Sequence, residues 1–348
     1  MGLFVTREPQ GTAPVSPVEV CVGLSRREAL GLLTGLSSTT AWAERPPAPT
    51  AWPARAIRLM VAYPPGGISD RVARSLAEPL SARMGVPVLV EYRPGAAGSL
   101  ALEQLTRHPA DGHLLVFSAI TPLVAPSSPH RAEAVRGVEP VASVMEIPVL
   151  VVGTPALTSR RFEGLLQQAR ATPGGVRWAS SGVGTTGHLV LELVGQAAGV
   201  EFQHVPYKGG GEQIQQALSG QFEVLSTNLA PAPVKWVQAG RLNALGVGAS
   251  SRPPVMPDVP TLAELGFAGA NLSSIFGLFA APGTPAVLLD RLNKELNAAI
   301  VQIGLQQELA SVGSLVRQGD RSSFAAVIAQ EVRTLGSLNA AGRTGLTR

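Results

Sequence analysis

Three glycine-rich segments of the chain carry the residue types that bind small anions. They cover residues 63–70, 180–186 and 207–211, and each follows a short apolar run. Small side chains there leave backbone N–H groups free at the start of a helix, where the partial positive charge favours an anion. Such segments at the carboxyl ends of parallel strands are also where open α/β sheets bind ligands. Any one of them could be only a tight turn, since glycine usually serves backbone geometry, but together they predict an anion pocket.

Residues with the types needed for catalysis occur near the second segment, but their arrangement does not favour an enzyme. Ser180 or Ser181 could act as a nucleophile with His188 as its base, yet no acidic residue stands in the sequence where it would orient the histidine. Gly182 and Gly184 resemble half of a dinucleotide-binding fingerprint, without its third glycine and its downstream acidic residue. The sequence therefore predicts no catalytic residue and no cofactor.

The chain has five histidines, and their spacing does not suit a metal site. His188 opens the helix after the second segment, where it either donates a hydrogen bond to a bound carboxylate or caps that helix. His204 lies in an apolar strand, and a histidine there is expected to be structural. No metal ion is predicted, and the role of His188 stays open between the two alternatives.

Short apolar runs alternate with amphipathic patterns along the chain, which is typical of an α/β fold with parallel strands and crossover helices. Each glycine-rich segment lies where an apolar run gives way to a helix, and Ser69 or Asp70 is expected to cap the first of these helices. The predicted strands cover residues 57–63, 86–90, 114–117, 149–152, 176–179, 201–205, 242–247 and 277–281. Later helices are predicted at residues 162–171 and 188–198, with two more over 288–303 and 324–335.

Composition excludes several classes of protein. Of the 348 residues, 45% are apolar and 15% charged, which excludes a disordered chain. The single cysteine excludes a disulfide framework and a zinc site made of several thiolates. The net charge of +4 is spread along the chain without a basic stripe or a nucleic-acid module, so no nucleic-acid partner is expected. The length suits two domains of ordinary size or one large one.

Residues 1–43 have the order of regions found in a secretory signal. Arg26 and Arg27 precede a weakly apolar stretch at 31–40, and an A-x-A site ends at Ala43. The arginine pair indicates the twin-arginine type, although Ala29 stands where a bulky residue is usual. Residues 44–52 read as a proline-rich spacer. We therefore expect cleavage near Ala43 and a periplasmic protein; the alternative is an amphipathic surface helix that carries two arginines.

Further motifs follow one another along the chain. They are PARAIRL at 53–59, YPPGGISD at 63–70, EYRPGAAG at 91–98, SSGVGT at 180–185, VPYKG at 205–209, AGRL at 239–242, PDVPT at 257–261 and FGLFAAPGTP at 276–285. In this set and order, the chain after residue 52 resembles the Bug solute-binding receptors of tripartite tricarboxylate transporters.

The resemblance implies an α/β fold of the type II periplasmic binding protein kind. Two lobes, each a central and mainly parallel sheet flanked by helices, would enclose a ligand cleft. Lobe one would comprise residues 53–147 and 277–348, and lobe two residues 148–276. Members of the family bind a carboxylate mainly through backbone amides, small hydroxyl groups and bridging waters. This agrees with the interpretation of the glycine-rich segments as an anion site.

The resemblance also assigns candidate ligand-binding residues. They are Tyr63, Pro65, Gly66, Gly67, Ser69, Asp70, Ser118, Ser180, Ser181, Gly182, Thr185, Thr186, His188, Tyr207, Lys208, Gly209, Thr227 and Asn228.

A few positions depart from the family pattern. Thr227 and Asn228 stand where an Asp-Asn pair is often found. Without that carboxylate, the pocket is expected to bind a ligand amine less favourably, and a second carboxylate or an apolar group more favourably. Tyr92 replaces a common asparagine, and Ala125-Pro126 replaces a frequent Asn-Pro, so the wall contributed by lobe one is expected to be reshaped.

The function implied by the resemblance is that of a non-catalytic receptor. It would capture a small carboxylate and deliver it, as a monomer, to the membrane permease subunits of a tripartite tricarboxylate transporter. Two alternatives keep the same fold: a sensor that presents its ligand to a signalling kinase, and an enzyme, against which the missing acid–base residues count.

Overall fold

Strands and helices alternate along the chain, in agreement with the pattern of apolar residues. The computed structural model describes residues 52–124 and 128–340. The predicted signal segment, residues 1–43, lies outside the described residues, as do residues 44–51 of the proline-rich spacer and the pair Ala125 and Pro126. All described residues belong to one compact unit.

The predicted elements are present with shifted boundaries, and several further ones join them. The strands of the described residues are β1 (Ile57–Val61), β2 (Val88–Tyr92), β3 (Leu114–Ala119), β4 (Glu139–Gly153), β5 (Arg177–Ser180), β6 (Gln203–Pro206), β7 (Val224–Asn228), β8 (Asn243–Gly248), β9 (Ser273–Ala280) and β10 (Leu315–Val316). The helices are α1 (Ile68–Met84), α2 (Ser99–Thr106), α3 (Thr121–Val124), α4 (Pro129–Ala134), α5 (Phe162–Ala171), α6 (Thr186–Ala198), α7 (Gly210–Leu218), α8 (Pro231–Gln238), α9 (Ala286–Gln302), α10 (Leu305–Ala310) and α11 (Arg321–Ala340).

The strands form one curled sheet in the order β2-β1-β3-β9-β4-β7-β5-β6, with β8 and β10 also paired to β4. β1 pairs in parallel with β2 and β3, and β5 pairs in parallel with β6 and β7. All pairings of β4 and β9 are antiparallel. The α/β class is thus confirmed, but the sheet is mixed rather than mainly parallel, because β4 leads out of one part of the sheet and β9 returns to it.

Strand β4 takes part in both halves of the sheet. Over residues 139–148 it pairs with β9, and over residues 149–153 it pairs with β7 and β8. We call β2, β1, β3 and β9 with their helices the first half, and β7, β5, β6 and β8 with theirs the second half. The change of partners falls between Pro148 and Val149. The lobe boundaries expected from the sequence, 147/148 and 276/277, stay a prediction.

Helix α1 begins at the first glycine-rich segment without the cap expected from the sequence. Its N-cap is Gly67, which carries no side-chain cap, so neither Ser69 nor Asp70 occupies that position. The carboxylate of Asp70 instead accepts a hydrogen bond from the backbone N–H of Gly66, at 2.7 Å. The helix ends at Gly85, whose φ of 72° favours glycine.

Apolar side chains fix both halves of the sheet. Leu59, Leu76 and Phe117 are fully buried in the first half, and Trp178 and Val224 in the second. Burial of side chains of this size stabilises a fold by roughly 1.5–3 kcal/mol each, so the ends of the strands around the glycine-rich segments are held firmly. In the part of the chain that the structure describes, no helix is long and apolar enough to cross a membrane.

Candidate functional site

A cavity of about 410 Å³ is lined by residues from both halves of the sheet. This volume lies within the ~300–1,000 Å³ typical of pockets for small organic ligands. All three glycine-rich segments contribute to its wall. The three segments therefore meet at one concavity, and its use as an anion pocket stays a prediction.

Most of the candidate residues reach this cavity. Those that line it are Tyr63, Pro65, Gly66, Gly67, Ser69, Ser181, Thr185, Thr186, Lys208, Gly209, Thr227 and Asn228. The remaining candidates, which the structure places around the cavity rather than on its surface, are Asp70, Ser118, Ser180, Gly182, His188 and Tyr207.

Helices α1, α6 and α7 all begin at the cavity wall. The first backbone N–H groups that bond back into these helices belong to Arg71, Leu189 and Gln213. The preceding residues of each first turn have no carbonyl group within the helix to bond to. One of these N–H groups, that of His188, donates to the Thr185 hydroxyl at 3.4 Å. The remaining N–H groups, together with the partial positive charge of three helix ends, make this wall suited to an anion.

Asp70 shapes the first segment and does not line the cavity. Besides Gly66, its carboxylate accepts hydrogen bonds from the Tyr92 hydroxyl and the Arg74 guanidinium, both at 2.6 Å. Burial would raise the pKa of Asp70, but the hydrogen bonds from Gly66, Tyr92 and Arg74 outweigh it and hold the pKa below its usual value. Tyr92, which replaces the asparagine common in the family, therefore affects the first glycine-rich segment through its hydrogen bond to Asp70. The two side chains meet outside the cavity wall.

Ser180 and Gly182 form the frame of the second segment. The Ser180 hydroxyl accepts a hydrogen bond from the Gly182 N–H at 3.2 Å and lies 2.7 Å from Nε2 of His204. A serine beside a histidine is the start of a nucleophile–base pair, but Ser180 is fully buried and does not line the cavity. The pair therefore holds the loop, and His204 has the structural role expected from the sequence.

His188 contacts the backbone of the same segment. Its Nδ1 accepts a hydrogen bond from the Gly184 N–H at 3.2 Å, and its Nε2 lies 3.4 Å from the Glu192 carboxylate. Its ring stacks on that of His204, with the ring centres 4.2 Å apart. Burial, followed by the charge of the neighbouring His188, lowers the pKa of His204 to about 4. Of the two alternatives for His188, the geometry favours the one in which its side chain secures the start of α6.

Tyr63 lines the cavity while its hydroxyl group holds a neighbouring turn. The hydroxyl donates to the Ala97 carbonyl at 3.2 Å and accepts from the Ala119 N–H at 3.3 Å. Burial raises the pKa of Tyr63, so it stays a neutral donor. Ala97, which also lines the cavity, has a φ of 57°. Backbone of this kind is strained in a residue other than glycine, and the Tyr63 hydroxyl is one of the groups that hold it.

Ser118 and Tyr207 lie behind the wall for different reasons. Ser118 is fully buried below Gly98, where a Cβ on that glycine would lie 2.7 Å from the serine hydroxyl oxygen. The ring of Tyr207 packs on Phe222, with the ring centres 5.6 Å apart. Both residues therefore support the neighbouring lining residues.

Sequence reasoning missed Ser226, which fixes the start of α6 from strand β7. Its hydroxyl donates to the Gly187 carbonyl at 2.8 Å and accepts from the Trp178 indole N–H at 2.6 Å. The Ser226 carbonyl accepts from the Gln213 amide at 3.0 Å. A Cβ on Gly187 would lie 3.0 Å from the Ser226 Cβ. No signal pointed to Ser226, because β7 was not predicted as a strand.

Two direct contacts join the halves of the sheet at the cavity. The hydroxyl groups of Thr121 and Thr186 lie 3.0 Å apart, and both residues are buried. A Cβ on Gly209 would lie 2.9 Å from Cδ of Pro64, so there is no room for a side chain between these segments. Sequence reasoning also missed Thr121. A small hydroxyl residue soon after the predicted strand 114–117 is the same signal that identified the candidate residues of the glycine-rich segments.

Charged side chains are scarce on the cavity wall. Among the described residues that line it, the charged ones are Lys208 and Glu212, and both are exposed. The rest of the wall consists mostly of glycines, small hydroxyl residues and apolar side chains, including Trp236 on α8 and Phe276 on β9, together with the amides of Gln215 and Asn228 and the phenol of Tyr63. Within the described residues, no group of three His, Cys, Asp or Glu side chains could hold a metal ion.

Comparisons with known proteins agree with this geometry. A family model described as "Tripartite tricarboxylate transporter family receptor" matches residues 72–341. Protein BugT of Bordetella pertussis (strain Tohama I) is 32% identical to the chain, covering 80% of this chain and 87% of that protein.

Solved structures give the same result. The periplasmic binding protein BugD is 26% identical with a TM-score of 0.77, over 84% of this chain and 99% of that one. A protein of Rhodopseudomonas palustris solved with adipate is 28% identical with a TM-score of 0.73, over 84% of this chain and 99% of that one.

Proposed function

This chain belongs to the tripartite tricarboxylate transporter receptor family, and from that premise we propose that it is a periplasmic receptor for a small carboxylate. The ligand binds between two lobes that correspond to the two halves of the sheet. The receptor then passes it to the membrane permease subunits of a tripartite transporter. The family membership confirms the resemblance noted in the sequence.

One observation carries the proposal: three helix N-termini meet at one cavity. Helix α1 comes from the first half, and α6 and α7 from the second. A negative charge at a helix N-terminus is worth about 0.3–1 kcal/mol at an exposed site and up to ~2 kcal/mol when partly buried. Donors on several helices can share one carboxylate directly or through water. The hydroxyl groups of Ser69 and Ser181 add side-chain donors at the same wall.

The position of the cavity explains how binding closes the protein. A ligand that touches α1 and α6 together makes its full set of contacts only when the halves are close. Its binding free energy therefore favours the closed arrangement. The Thr121–Thr186 hydrogen bond and the approach of Pro64 to Gly209 are further contacts of that arrangement.

Export to the periplasm is supported by the order of regions in residues 1–43 and by the related periplasmic binding protein BugD. Residues with catalytic potential do not support an enzyme on this fold, because Ser180 and His204 meet behind the cavity wall.

A thermal-shift and calorimetry series on the purified protein tests the proposal. Mono-, di- and tricarboxylates are compared with the corresponding amides. A carboxylate present at 100 times its Kd is expected to add ~2.7 kcal/mol to the free energy of unfolding, whereas the amides should add little. If no carboxylate stabilises the protein, the proposal is wrong.

A charge variant with a matched control locates the site. Ser181→Asp puts a carboxylate on the cavity wall beside α6 and is expected to weaken carboxylate binding at least tenfold. Ala286→Asp puts the same charge at the exposed first position of α9, away from the cavity, and should leave binding unchanged. Equal effects of the two substitutions would contradict the placement of the carboxylate.

A further inference from the structure

Helix α8 also begins at the cavity, but its sequence removes the donors that the other three helices provide. Its N-cap is Ala230 and its first three residues are Pro231, Ala232 and Pro233. Proline has no backbone N–H, so only Ala232 could donate among these three. Ala230, Ala232 and Pro233 all line the cavity. This end of the wall therefore cannot bind a carboxylate as a helix N-terminus ordinarily does.

The side chains that line the cavity at this end are apolar or uncharged. The Lys235 ammonium lies 5.8 Å from the centre of the Trp236 ring, but Lys235 is not among the lining residues. Trp236 lies one turn beyond Pro233 on α8 and lines the cavity with it. Ile214 on α7 is buried and faces the same cavity. An aromatic side chain offers a large apolar surface to a ligand. The nearby Thr227 and Asn228 stand where the family pattern has a carboxylate next to an asparagine, and they add hydrogen-bonding groups without charge.

The charges of the wall do not favour a second carboxylate either. Lys208 and Glu212 are four residues apart at the third glycine-rich segment, and their charges cancel. Glu212 lines the cavity in the first turn of α7 and already complements the positive end of that helix. The acidic residue in the first turn of α1, Asp70, lies outside the cavity wall and is paired with Arg74, and α6 has no acidic residue in its first turn. A second ligand carboxylate would lose its hydration without gaining a net positive partner.

Resting on the receptor function proposed above, we propose that the ligand carries a single carboxylate, held where α1 and α6 begin, and an uncharged body with an apolar face. An aromatic ring or a branched alkyl group fills the end of the cavity at Trp236 and Pro233. The departure of this chain from the family pattern at Thr227 allows either an apolar group or a second carboxylate, and the missing N–H donors of α8 with the balanced charges of the lining residues favour the apolar group. The adipate of the related R. palustris structure has two carboxylates, so the two proteins would differ in the class of acid they bind.

Calorimetric titration of the purified protein with four compounds tests this inference. Hexanoate and adipate have the same chain length and differ in the second carboxylate, 3-phenylpropionate adds a ring, and hexanamide lacks the charge. We expect hexanoate and 3-phenylpropionate to bind at least tenfold more tightly than adipate, with 3-phenylpropionate the tighter of the two and hexanamide undetected. Adipate binding as tightly as hexanoate, or more tightly, would overturn the inference and leave the receptor function intact. Failure of all three acids to bind would overturn both.

Substitutions in α8 give an independent readout. The double variant Pro231→Ala, Pro233→Ala restores two N–H donors. It is expected to reduce the ratio of the adipate Kd to the hexanoate Kd by about tenfold. Pro285→Ala, at the exposed start of α9, is the matched control and should not change the preference. Trp236→Leu should weaken the binding of 3-phenylpropionate more than the binding of hexanoate. Trp236→Phe should retain most of the affinity difference between these two acids, because it keeps an aromatic ring. An unchanged preference in both sets of α8 variants would contradict the assignment of this end of the cavity.

Discussion

The Thr121 and Thr186 hydroxyl groups form a buried hydrogen bond of 3.0 Å that joins the first half of the sheet to the second. Thr121 starts α3 and Thr186 starts α6, one of the helices that we propose to hold the ligand carboxylate. The pair therefore couples the position of the ligand site in one half to the position of the other half.

Replacing both threonines of this pair should destabilise the protein by less than the sum of the two single replacements. Thr121→Val or Thr186→Val leaves the remaining hydroxyl buried without its partner, which costs about 1–3 kcal/mol. The double variant removes both polar groups and is expected to be destabilised by less than the sum of the two single effects. Urea unfolding of the four proteins measures this coupling. Additive single effects would show that the hydrogen bond contributes nothing.

A methyl group on Gly187 should disturb the carboxylate site. Its Cβ would lie 3.0 Å from the Ser226 Cβ and 3.2 Å from the Ser226 carbonyl oxygen. Ser226 cannot move away easily, because Trp178 and Gln213 hold it by hydrogen bonds. Gly187→Ala is therefore expected to shift the start of α6 and weaken carboxylate binding at least tenfold.

The control for this variant is Gly319→Ala before α11, which does not line the cavity and where a Cβ would lie at an ordinary contact distance of 3.4 Å from the Ser323 Cβ. Isothermal titration with a carboxylate that binds the unmodified protein compares the two. Normal affinity in Gly187→Ala would show that α6 tolerates the shift.

Asp70 should make the protein more stable at neutral than at acid pH. Its folded pKa is below the usual value, so its stabilising contribution is present above the unfolded pKa of about 3.9 and is lost as the pH falls through the folded pKa. Asp70→Asn should reduce stability by about 1.5–3 kcal/mol at pH 7, since it weakens hydrogen bonds to a charged group.

The measurement is urea unfolding between pH 2 and pH 7, where the Asp70→Asn curve should be the flatter of the two. Parallel curves would mean that the Asp70 carboxylate has the same pKa in the folded and unfolded states.

His204 should produce a second pH dependence in a higher range. Its folded pKa of about 4 lies below the unfolded value of about 6.5, because burial and His188 disfavour the charged ring. The folded protein then binds fewer protons than the unfolded chain between these values, so stability falls as the pH is lowered from about 6.5 to 4. His204→Gln should remove this part of the decline. NMR titration of the histidine signals is the direct check, and a pKa near 6.5 for His204 would refute the expectation.

Local sequence predicted the cavity because each of its three main segments is a strand, a glycine-rich turn and a helix in immediate succession. Residues 63–70 predicted correctly that a strand gives way to a helix there, although not the last residue of β1 or the N-cap of α1. The same reasoning did not distinguish residues that face the cavity from residues that frame it. Asp70 and His188 stand in the right segments, but the direction of their side chains depends on Tyr92, Gly184 and Glu192.

Elements without a simple apolar pattern could not be predicted. Pro140, Glu146 and Pro148 interrupt the first part of β4, so only residues 149–152 of this strand were found. Helix α8 carries two prolines in its first turn, and β7 ends in polar residues that line the cavity. These elements are fixed by pairing and packing with distant parts of the chain, and for that reason Ser226 and Trp236 were missed.

The continuity of β4 limits how the two halves can move. A single backbone runs through both, and its hydrogen-bonded neighbours change between Pro148 and Val149. The chain connects the halves again where it returns to the first half at the start of β9, Ser273. Rotation of one half against the other therefore has to twist paired strands at both connections. Ligand binding that draws the halves together is therefore expected to change the twist of β4 and of β9 where the chain passes between the halves.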